Sequence, residues 1–373
     1  MNFRYNVHTS AGEEEKESLR QSRKEGIITA TMREQPNIPE QLLRACLQDQ
    51  YGLIPTTFDF LPLGLDYHAG VYRVGSEQGN SYLLKVTSRP LYEPACLVPR
   101  YLRDQGITAV VAPLPTKSNA LWAQLADWRV IVYPFIEGNT NWERVTDAQW
   151  REVGSIFKRI HQVALPSQVR LEEMKKETFD AAQYARLIRG IEAEHAHARD
   201  GEGASERALR DLWMAHRSTI HAGMTALEKL AEVLQKRELP YGICHADLHP
   251  ANLLRNAAGR VFVIDWDEVM LAPRERDFIF VSTLQADAFF QGYGQVEIDW
   301  TALTYYLWER VVQDVIACAQ DVFSRDDLGE ESKTGIVQLF RAILEGSSST
   351  LTTAYAAMDH LSPDLATRMR MYS

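Results

Sequence analysis

The sequence predicts an α+β protein with two lobes, a small and mostly β N-terminal lobe with one main helix and a larger, mostly α C-terminal lobe. Three observations predict this fold. Residues 56–136 alternate short β-type runs with turns, the chain beyond Gly138 carries apolar residues mainly at helical spacing, and 373 residues are enough for two lobes. The predicted divisions are an N-terminal extension at 1–36, a first lobe at 37–136 and a second lobe at 137–373.

Composition excludes several classes of protein. Hydrophobic residues make up 45% of the chain and charged residues 24%, which is usual for a soluble globular protein. The formal net charge of -10 argues against a nucleic-acid partner, because phosphate backbones select basic surfaces, and it would attract a small cationic substrate. We find no stretch long and apolar enough to span a bilayer and no secretory signal, so we expect no membrane partner and a cytoplasmic location. The widely separated cysteines are expected to be reduced core residues: Cys46, Cys96, Cys244 and Cys318.

The elements of the first lobe follow from local periodicity. Residues 1–36 are rich in charge and poor in large apolar side chains, so we expect a mobile or loosely docked extension. Residues 39–51 carry apolar side chains at helical spacing. A first strand pair is then predicted at 72–74 and 81–87, and a second at 120–125 and 128–133. The segment between the two pairs, 93–105, is predicted to form a helix.

Helices dominate the predicted second lobe. Thr146 and Gln149 form a capping-box pair at the start of the first of these helices. The charged segment 170–238 has a helical apolar pattern, and its charges are expected on solvated helix faces rather than in a binding patch. Residues 299–323 predict a strongly amphipathic helix.

The strongest functional signal lies in residues 244–268, C-H-A-D-L-H-P-A-N-L-L-R-N-A-A-G-R-V-F-V-I-D-W-D-E. Phosphoryl transfer needs a carboxylate near the accepting hydroxyl and oxygen ligands that hold magnesium on the nucleotide phosphates. Asp247 can supply the carboxylate, and Asn252 and Asp265 can supply the ligand oxygens. The spacing H-x-D-x-x-x-x-N followed by a later Asp therefore predicts a phosphotransferase, against the alternative of an acidic surface hairpin.

A short β-hairpin should connect the two metal-ligand candidates. Pro250 interrupts regular backbone hydrogen bonding just before Asn252, and Asp265 follows a buried apolar run. The hairpin would fold Asn252 and Asp265 toward each other, so that one oxygen from each can reach the same ion. His245 is predicted to be a scaffold residue of the loop. The strands are predicted at 253–255 and 261–264, and the turn between them at 256–259.

A lysine in the first lobe is the candidate phosphate contact. Lys85 lies in the apolar run Ser81–Thr87, where a lysine is costly unless an anion meets its charge. Nucleotide phosphates would provide that charge, and Glu93 is the expected protein partner of the ammonium group. The alternative is an edge-strand lysine that points to solvent. The segment Leu65–Val71 could cover the phosphates, although it lacks the G-x-G-x-x-G pattern.

Several short motifs occur here in the order found in one known family. They are C-H-A-D-L-H-P-A-N, V-I-D-W-D-E-V-M-L-A-P-R-E-R-D, V-Y-P-F-I-E, F-Q-G-Y-G and Y-Y-L-W-E-R-V-V-Q-D. On these motifs the chain resembles the aminoglycoside phosphotransferase family, the small-molecule branch of the protein-kinase-like fold. The resemblance implies a nucleotide-binding first lobe and a catalytic, substrate-binding second lobe. It also implies that Asp277 is a structural carboxylate that braces the catalytic loop.

The resemblance implies roles for the candidate site residues. Asp247 would be the catalytic base or hydroxyl-orienting carboxylate, and Asn252 and Asp265 would be the magnesium ligands. Lys85, backed by Glu93, would contact the phosphates of ATP or GTP. The hinge whose backbone meets the nucleobase would include Val132, Tyr133, Pro134, Phe135 and Ile136.

The acceptor pocket is expected to combine acidic and aromatic side chains. Carboxylates would pair with ammonium groups of the substrate, and rings would pack on its apolar face. Trp308 and Glu309 are adjacent on a helix and point apart, so they cannot line one pocket as a pair. For Asp267 and Glu268 the alternative is a hydrogen bond to the following loop. The acceptor candidates are Asp267, Glu268, Tyr293, Trp308, Glu309, Asp314 and Asp321.

These observations predict a magnesium-dependent O-phosphotransferase that uses ATP or GTP and acts on a small hydroxylated cationic molecule. The expected acceptor is an aminoglycoside or aminocyclitol antibiotic such as spectinomycin. One alternative is a kinase of the same fold for choline, homoserine or an amino sugar. A nucleotide-binding regulatory module is another, but it would not need Lys85, Asp247, Asn252 and Asp265 together. The D-F-G and A-P-E signals of a protein kinase are missing.

Overall fold

The computed structural model describes residues 35–62, 69–141, 145–165, 173–195, 197, 202–281, 286–326, 328–345 and 349–365. Most of the predicted extension 1–36 and most of the segment 65–71 lie outside these residues. Within them the chain is an α+β protein, as predicted, with a β-sheet first and helices predominating after it.

An antiparallel five-stranded sheet with the order β1-β2-β3-β5-β4 forms the first part of the molecule. Along its second strand Tyr72 and Val74 are buried while Arg73 between them is half-buried, the period-two pattern of a strand with one face on a core. A helix, α1 (Glu40–Cys46), and a π-helical turn, Leu47–Tyr51, pack on that core. The strands are β1 (Pro55–Leu61), β2 (Ala69–Ser76), β3 (Ser81–Thr87), β4 (Ala123–Leu125) and β5 (Trp128–Pro134).

The main helix of this part, α2 (Pro94–Asp104), joins the sheet to the helical part of the molecule. Pro94 occupies its first turn, where the missing N–H costs no hydrogen bond. Val98 and Leu102 belong to the same apolar core as the later helices. The backbone N–H of Val111 also donates to Val263 O at 3.0 Å. The first part of the chain is therefore fixed against the segment that carries Asp265.

The helical part is organised around one long buried helix, α8, which packs on α6, α9 and α10. The predicted capping box at the start of α3 is confirmed, since Gln149 N donates to Thr146 Oγ1 at 3.3 Å and Thr146 N donates to Gln149 Oε1 at 3.0 Å. The helices are α3 (Asp147–Gln162), α4 (Ala182–His195), α5 (Ala204–Ala215), α6 (Arg217–Leu234), α7 (Ala286–Tyr293), α8 (Trp300–Ser324), α9 (Glu330–Leu344) and α10 (Ser349–Met358).

The chain between α6 and α7 contributes strands to two small sheets, one of which also includes the strand Gly138–Asn139 from before α3, and these sheets carry the loops of the candidate site. The predicted hairpin is confirmed, because Leu253 pairs with Val263 and Arg255 with Val261. Asn252 directly precedes the first strand of this hairpin, and Asp265 follows the second. The strands are β6 (Gly138–Asn139), β7 (Gly242–Cys244), β8 (Leu253–Asn256), β9 (Val261–Val263) and β10 (Met270–Ala272), arranged as β6-β8-β9 and β10-β7.

Helices α3 and α7 are in such close contact that the residues at the contact points can have no side chain. A Cβ atom on Gly154 would lie 2.0 Å from Phe289 O, and one on Gly292 would lie 1.9 Å from Arg151 O. Both glycines are therefore required for this contact. The close packing sets the end of α3 beside the end of α7, next to the catalytic loop.

Two other expectations concern the core and the membrane. All four cysteines are buried with free thiols, as predicted. Among the described helices, none combines the length and apolar character that a membrane crossing requires.

Candidate active site

A buried carboxylate fixes the loop that carries Asp247. Asp277 is 0% exposed and lies in the 3-10 helix Arg274–Phe278. It accepts hydrogen bonds from the backbone N–H groups of His245 at 3.0 Å and Ala246 at 2.8 Å. The predicted brace of the catalytic loop is therefore present.

The brace extends to a histidine and a tyrosine. Nε2 of His161 lies 2.9 Å from Asp277 Oδ2, and its Nδ1 lies 2.9 Å from the hydroxyl of Tyr293. Because Nε2 faces a carboxylate it donates to that group, and in the neutral imidazole Nδ1 then accepts from Tyr293. Tyr293 was predicted to contact the acceptor, but it is buried and supports Asp277 instead. No sequence signal linked His161 to this loop.

The catalytic loop is also tied to the segment that carries Asp265. His245 is buried, and its Nε2 donates to Ile264 O at 2.9 Å. This contact agrees with the predicted scaffold role of His245. Ala246 and Asp265 have φ values of +67° and +61°, a conformation that non-glycine residues rarely adopt. Surrounding contacts must hold both backbones in place, as is common at functional sites.

The two carboxylate oxygens of Asp247 have different surroundings. Oδ2 lies 3.2 Å from Nδ2 of Asn252 and 3.3 Å from Nε2 of His249. Oδ1 has a longer contact, 3.5 Å to Nη1 of Arg310. Oδ1 is therefore the oxygen with more remaining capacity to accept a hydrogen bond.

The surroundings of Asp247 favour its ionised form. Burial acts to raise its pKa, but the hydrogen bond from His249 and the positive charges of His249 and Arg310 outweigh that effect. The pKa of Asp247 is therefore below its usual value. A carboxylate that stays ionised can accept a proton or orient a hydroxyl group.

Asn252 and Asp265 present oxygens that could hold a cation. The amide nitrogen of Asn252 donates to Asp247 O at 2.9 Å and to its Oδ2, which leaves Oδ1 of Asn252 as the available atom. Ile264 N donates to Asn252 O at 3.0 Å, so the backbones before β8 and after β9 are neighbours. An oxygen-only donor set of this kind suits a hard cation such as Mg²⁺.

The charge at Asp265 also fits a cation site. Burial raises the pKa of Asp265; Lys85 acts in the opposite sense, and repulsion from Asp267 and Asp247 adds to the effect of burial. About half of the side chain is nevertheless open to solvent, so a cation can reach it. A divalent cation would relieve the repulsion between these carboxylates.

Lys85 meets carboxylates of the second part of the chain rather than Glu93. Its Nζ lies 2.7 Å from Asp267 Oδ2 and 4.0 Å from Asp265 Oδ1. Burial opposes the ammonium charge, but Asp267 and then Asp265 outweigh burial, so the pKa of Lys85 lies above its usual value. In the described part of the chain the ion-pair partners of Lys85 are Asp267 and Asp265, so the predicted partner Glu93, which directly precedes α2, is not paired with it in this structure.

Backbone hydrogen bonds within the protein occupy some of the groups of the predicted hinge and leave others available for a ligand. Phe135 N donates to Ser81 O at 3.1 Å, and this register also pairs Tyr133 with Leu83 across the strands. Val132 O accepts from Leu114 N at 2.7 Å. The backbone groups of Pro134 and Ile136 point to the opposite edge of the segment, away from β3. Among the predicted hinge residues, the carbonyl of Pro134 and the N–H of Ile136 therefore remain available to a ligand.

Two acceptor candidates on α8 lie in the protein interior instead. Trp308 is 1% exposed and packs against Gly223 and, ring to ring at 4.9 Å, against Tyr355. Glu309 is buried in an ion pair with Arg276 and accepts from the hydroxyl of Tyr184 at 2.9 Å. Both predictions of acceptor contact were wrong, because α8 is covered on these faces by neighbouring helices and the Arg274–Phe278 segment.

The acidic candidates Glu268 and Asp314 are more exposed than Glu309. Glu268 is more than half exposed and its Oε2 lies 2.8 Å from Nζ of Lys175. Asp314 lies one helical turn beyond Arg310, with its Oδ1 2.9 Å from Nε of that arginine. Burial raises the pKa of Asp314, whereas Arg310 acts to lower it. Asp314 is therefore linked to Asp247 through Arg310, with which it is already paired, and its contact with the acceptor stays a prediction.

Arg310 is the residue that sequence reasoning missed. It connects Asp247 and Asp314, and its guanidinium lies 5.3 Å from the ring centroid of Phe280. The available signal was the Arg310–Asp314 spacing of four residues, which predicts an ion pair within the helix. That spacing does not show that Arg310 also reaches Asp247.

Comparisons with solved structures identify proteins that are similar to this chain. A spectinomycin phosphotransferase, solved with ADP and spectinomycin, is 26% identical to the chain with a TM-score of 0.74, and the match covers 87% of this chain and 99% of that one. An aminoglycoside phosphotransferase from Alicyclobacillus acidocaldarius matches with a TM-score of 0.59 at 18% identity over 88% of this chain and 98% of that one. A choline kinase from Streptococcus pneumoniae matches with a TM-score of 0.51 at 15% identity over 82% and 99% of the two chains. The last two likenesses concern the fold alone.

Sequence comparison gives the family. None of the curated protein sequences compared with the chain matches it significantly. The model of the phosphotransferase enzyme family, whose abbreviation is APH, matches residues 59–306, which is more than half of the chain. The matched range includes the sheet with Lys85, the catalytic loop with Asp247 and the Asp265 segment. The chain therefore belongs to the phosphotransferase enzyme family and is a kinase-like enzyme that phosphorylates hydroxyl groups.

Proposed function

We propose that the protein transfers the γ-phosphoryl group of ATP to a hydroxyl group of a small amine-bearing polyol, an aminocyclitol of the spectinomycin type. The observation that carries this proposal is the chain of contacts that joins Asp247, Asn252, Asp265 and Lys85. These four side chains match the needs of phosphoryl transfer: a carboxylate at the acceptor, oxygens for a cation, and an ammonium for phosphate.

The residues have separate tasks in the proposed reaction. Oδ1 of Asp247 accepts the hydrogen of the acceptor hydroxyl, whose oxygen attacks the γ-phosphorus in line while the bond to the β-phosphate oxygen breaks and ADP leaves. Lys85 exchanges its contact with Asp267 for the nucleotide phosphates. Asn252 and Asp265 would hold Mg²⁺, which neutralises phosphate charge when bound.

The hinge supports ATP rather than GTP. Pro134 can only accept through its carbonyl, and Ile136 can donate through its N–H. Adenine offers the complementary pair, an amino group that donates beside a ring nitrogen that accepts. Guanine offers the reverse order on the corresponding edge, so its carbonyl oxygen would face Pro134 O. Solved relatives with ADP and AMP are in line with this choice.

Charge and similarity support the aminocyclitol class of acceptor. The chain carries a formal net charge of -10, Asp314 is joined to Asp247 through Arg310, and Glu268 is more than half exposed. Such a surface attracts a polyamine alcohol at neutral pH. The spectinomycin phosphotransferase is 26% identical over 87% of the chain, a wider likeness than that of the choline kinase in both identity and TM-score.

A coupled ADP-release assay tests this proposal. The acceptors are spectinomycin, kanamycin, choline and homoserine, each with MgATP and with MgGTP, and the control is the same mixture without acceptor. We expect spectinomycin to stimulate ADP release and ATP to be preferred over GTP. Release that none of these acceptors stimulates would contradict the proposed acceptor class, and stimulation by choline or homoserine alone would replace it with a metabolite kinase.

Lys85→Met should impair the nucleotide side of the reaction. The substitution keeps an unbranched apolar stem in the strand but removes the only ammonium that we assign to the phosphates. We expect kcat/KM for ATP to fall by about 100-fold or more. Lys117→Met is the matched control, because Lys117 Nζ donates to Gln48 O away from the candidate site. Equal kinetics of the two variants would exclude Lys85 from phosphate binding.

A further inference from the structure

Arg310 has no role in the reaction described so far, although it touches the catalytic carboxylate. Its Nη1 lies 3.5 Å from Asp247 Oδ1, the oxygen that is left for the acceptor hydroxyl. A hydroxyl bound to that oxygen therefore arrives beside a guanidinium group. The reacting hydroxyl therefore meets a carboxylate and, next to it, a positive charge, although the protein as a whole is negative.

The guanidinium is held in this position from several directions. Nε lies 2.9 Å from Asp314 Oδ1 and 3.1 Å from its Oδ2, and the flat side of the group faces the ring of Phe280. Phe280 also meets His249 edge-on at 6.0 Å, so the same ring contacts both of these neighbours of Asp247. Two-thirds of the Arg310 side chain is buried. A substrate cannot displace the group without breaking the pair with Asp314.

Helix α8 is also fixed at the adjacent residue. Glu309 bonds to Arg276 and to the hydroxyls of Tyr184 and Tyr305, all of them in the interior. These contacts determine the rotation of the helix, and the rotation directs Arg310 toward Asp247. Within the described residues, Nη2 of Arg310 makes no hydrogen bond, so the group retains donors for a ligand.

We infer that Arg310 determines acceptor specificity: it donates to an oxygen next to the reacting hydroxyl and disfavours acceptors in which that neighbour is a cation. This inference rests on the proposed function. When the reacting hydroxyl sits on Asp247, an oxygen on the next carbon, the neighbour of the carbon that bears this hydroxyl, lies within reach of the Arg310 donors. In choline and ethanolamine the same carbon bears a cation, which would be repelled by the guanidinium.

Asp314 gives the complementary half of the specificity. Its carboxylate pairs with Nε of Arg310, whereas Nη1 of the same guanidinium faces Asp247, and 29% of the Asp314 side chain is exposed. An ammonium further along the substrate can therefore approach it. The acceptor class that fits is a polyol with vicinal oxygens at the reacting position and amines beyond them. A small alcohol with one hydroxyl and an adjacent cation does not fit.

The test compares Arg310→Met and Arg310→Lys with the wild-type enzyme, using spectinomycin and choline as acceptors. For Arg310→Met we expect kcat/KM for spectinomycin to fall at least about tenfold while KM for ATP stays within about twofold. Arg310→Lys should recover part of the loss, because it keeps the charge but lacks the planar fork. Low millimolar guanidinium chloride should restore activity to Arg310→Ala and leave the wild type unchanged.

The outcomes separate this inference from the proposed function. Absence of wild-type turnover with any acceptor would overturn the proposed function and the inference with it. Wild-type turnover that Arg310→Met leaves unchanged, or efficient wild-type phosphorylation of choline, would overturn the inference alone. A parallel loss for spectinomycin and ATP, without guanidinium rescue, would assign Arg310 a purely structural role. Thermal unfolding of each variant identifies any loss that is due to misfolding.

Discussion

Asp247→Asn is expected to lower acceptor phosphorylation by about 1,000-fold or more while ADP binding is retained. The amide cannot take up a proton, and it places a donor where the carboxylate oxygen meets the acceptor hydroxyl. The nucleotide contacts that we assign lie elsewhere, at Lys85 and at the hinge groups of Pro134 and Ile136. The measurements are kcat for spectinomycin-dependent ADP release and the Kd of ADP by titration calorimetry.

Asp211→Asn is a matched control for this change. Asp211 is a largely exposed carboxylate on α5, paired loosely with Arg210 at 3.6 Å. Its replacement should leave both kcat and the Kd of ADP unchanged. Retained turnover in Asp247→Asn, or a Kd of ADP weakened in proportion to the loss of kcat, would remove Asp247 from the role of acceptor carboxylate.

Asp277→Ala should produce the largest loss of stability. The change removes an acceptor that is 0% exposed and leaves the N–H groups of His245 and Ala246 and the Nε2–H of His161 without their partner. Breaking a buried charged network of this kind costs about 3–5 kcal/mol of unfolding free energy. Turnover should fall as well, because Asp247 directly follows the loop that Asp277 holds.

Chemical denaturation followed by circular dichroism measures the free energy of unfolding. Asp287→Asn is the control, since Asp287 is an exposed residue in the first turn of the neighbouring helix α7. That substitution should lower the free energy of unfolding by less than about 1 kcal/mol. If Asp277→Ala lost no more than the control, the brace would not be a principal support of the loop.

The catalytic hairpin was predictable because its parts are close in sequence. Pro250, the turn around Gly259 and the apolar run before Asp265 determine a local fold-back, and the observed pairs Leu253–Val263 and Arg255–Val261 follow that expectation. Lys85 was predictable for a similar reason: a lysine in an apolar strand requires an anion. Its partner was not, because Asp267 is 182 residues away.

The acceptor side was predicted poorly. Tyr293, Trp308 and Glu309 have the chemical character of sugar-binding residues, yet all three are buried by packing that involves other helices. Helix α8 is apolar around most of its circumference, so its periodicity does not identify the face that meets Asp247. Arg310 was overlooked because an arginine in an acidic protein with an expected cationic substrate offers no obvious ligand contact.

By itself the sequence determined the α+β fold class, the hairpin, and the set of Lys85, Asp247, Asn252 and Asp265, because these follow from local periodicity and short motifs. The tertiary structure alone decided how Asp277 is supported by His161 and Tyr293, which lie 132 residues apart, and which residue of α8 reaches Asp247. The physical reason is that burial and hydrogen bonding between distant segments depend on how helices pack against one another. A single helix or strand does not encode its partners in its own pattern.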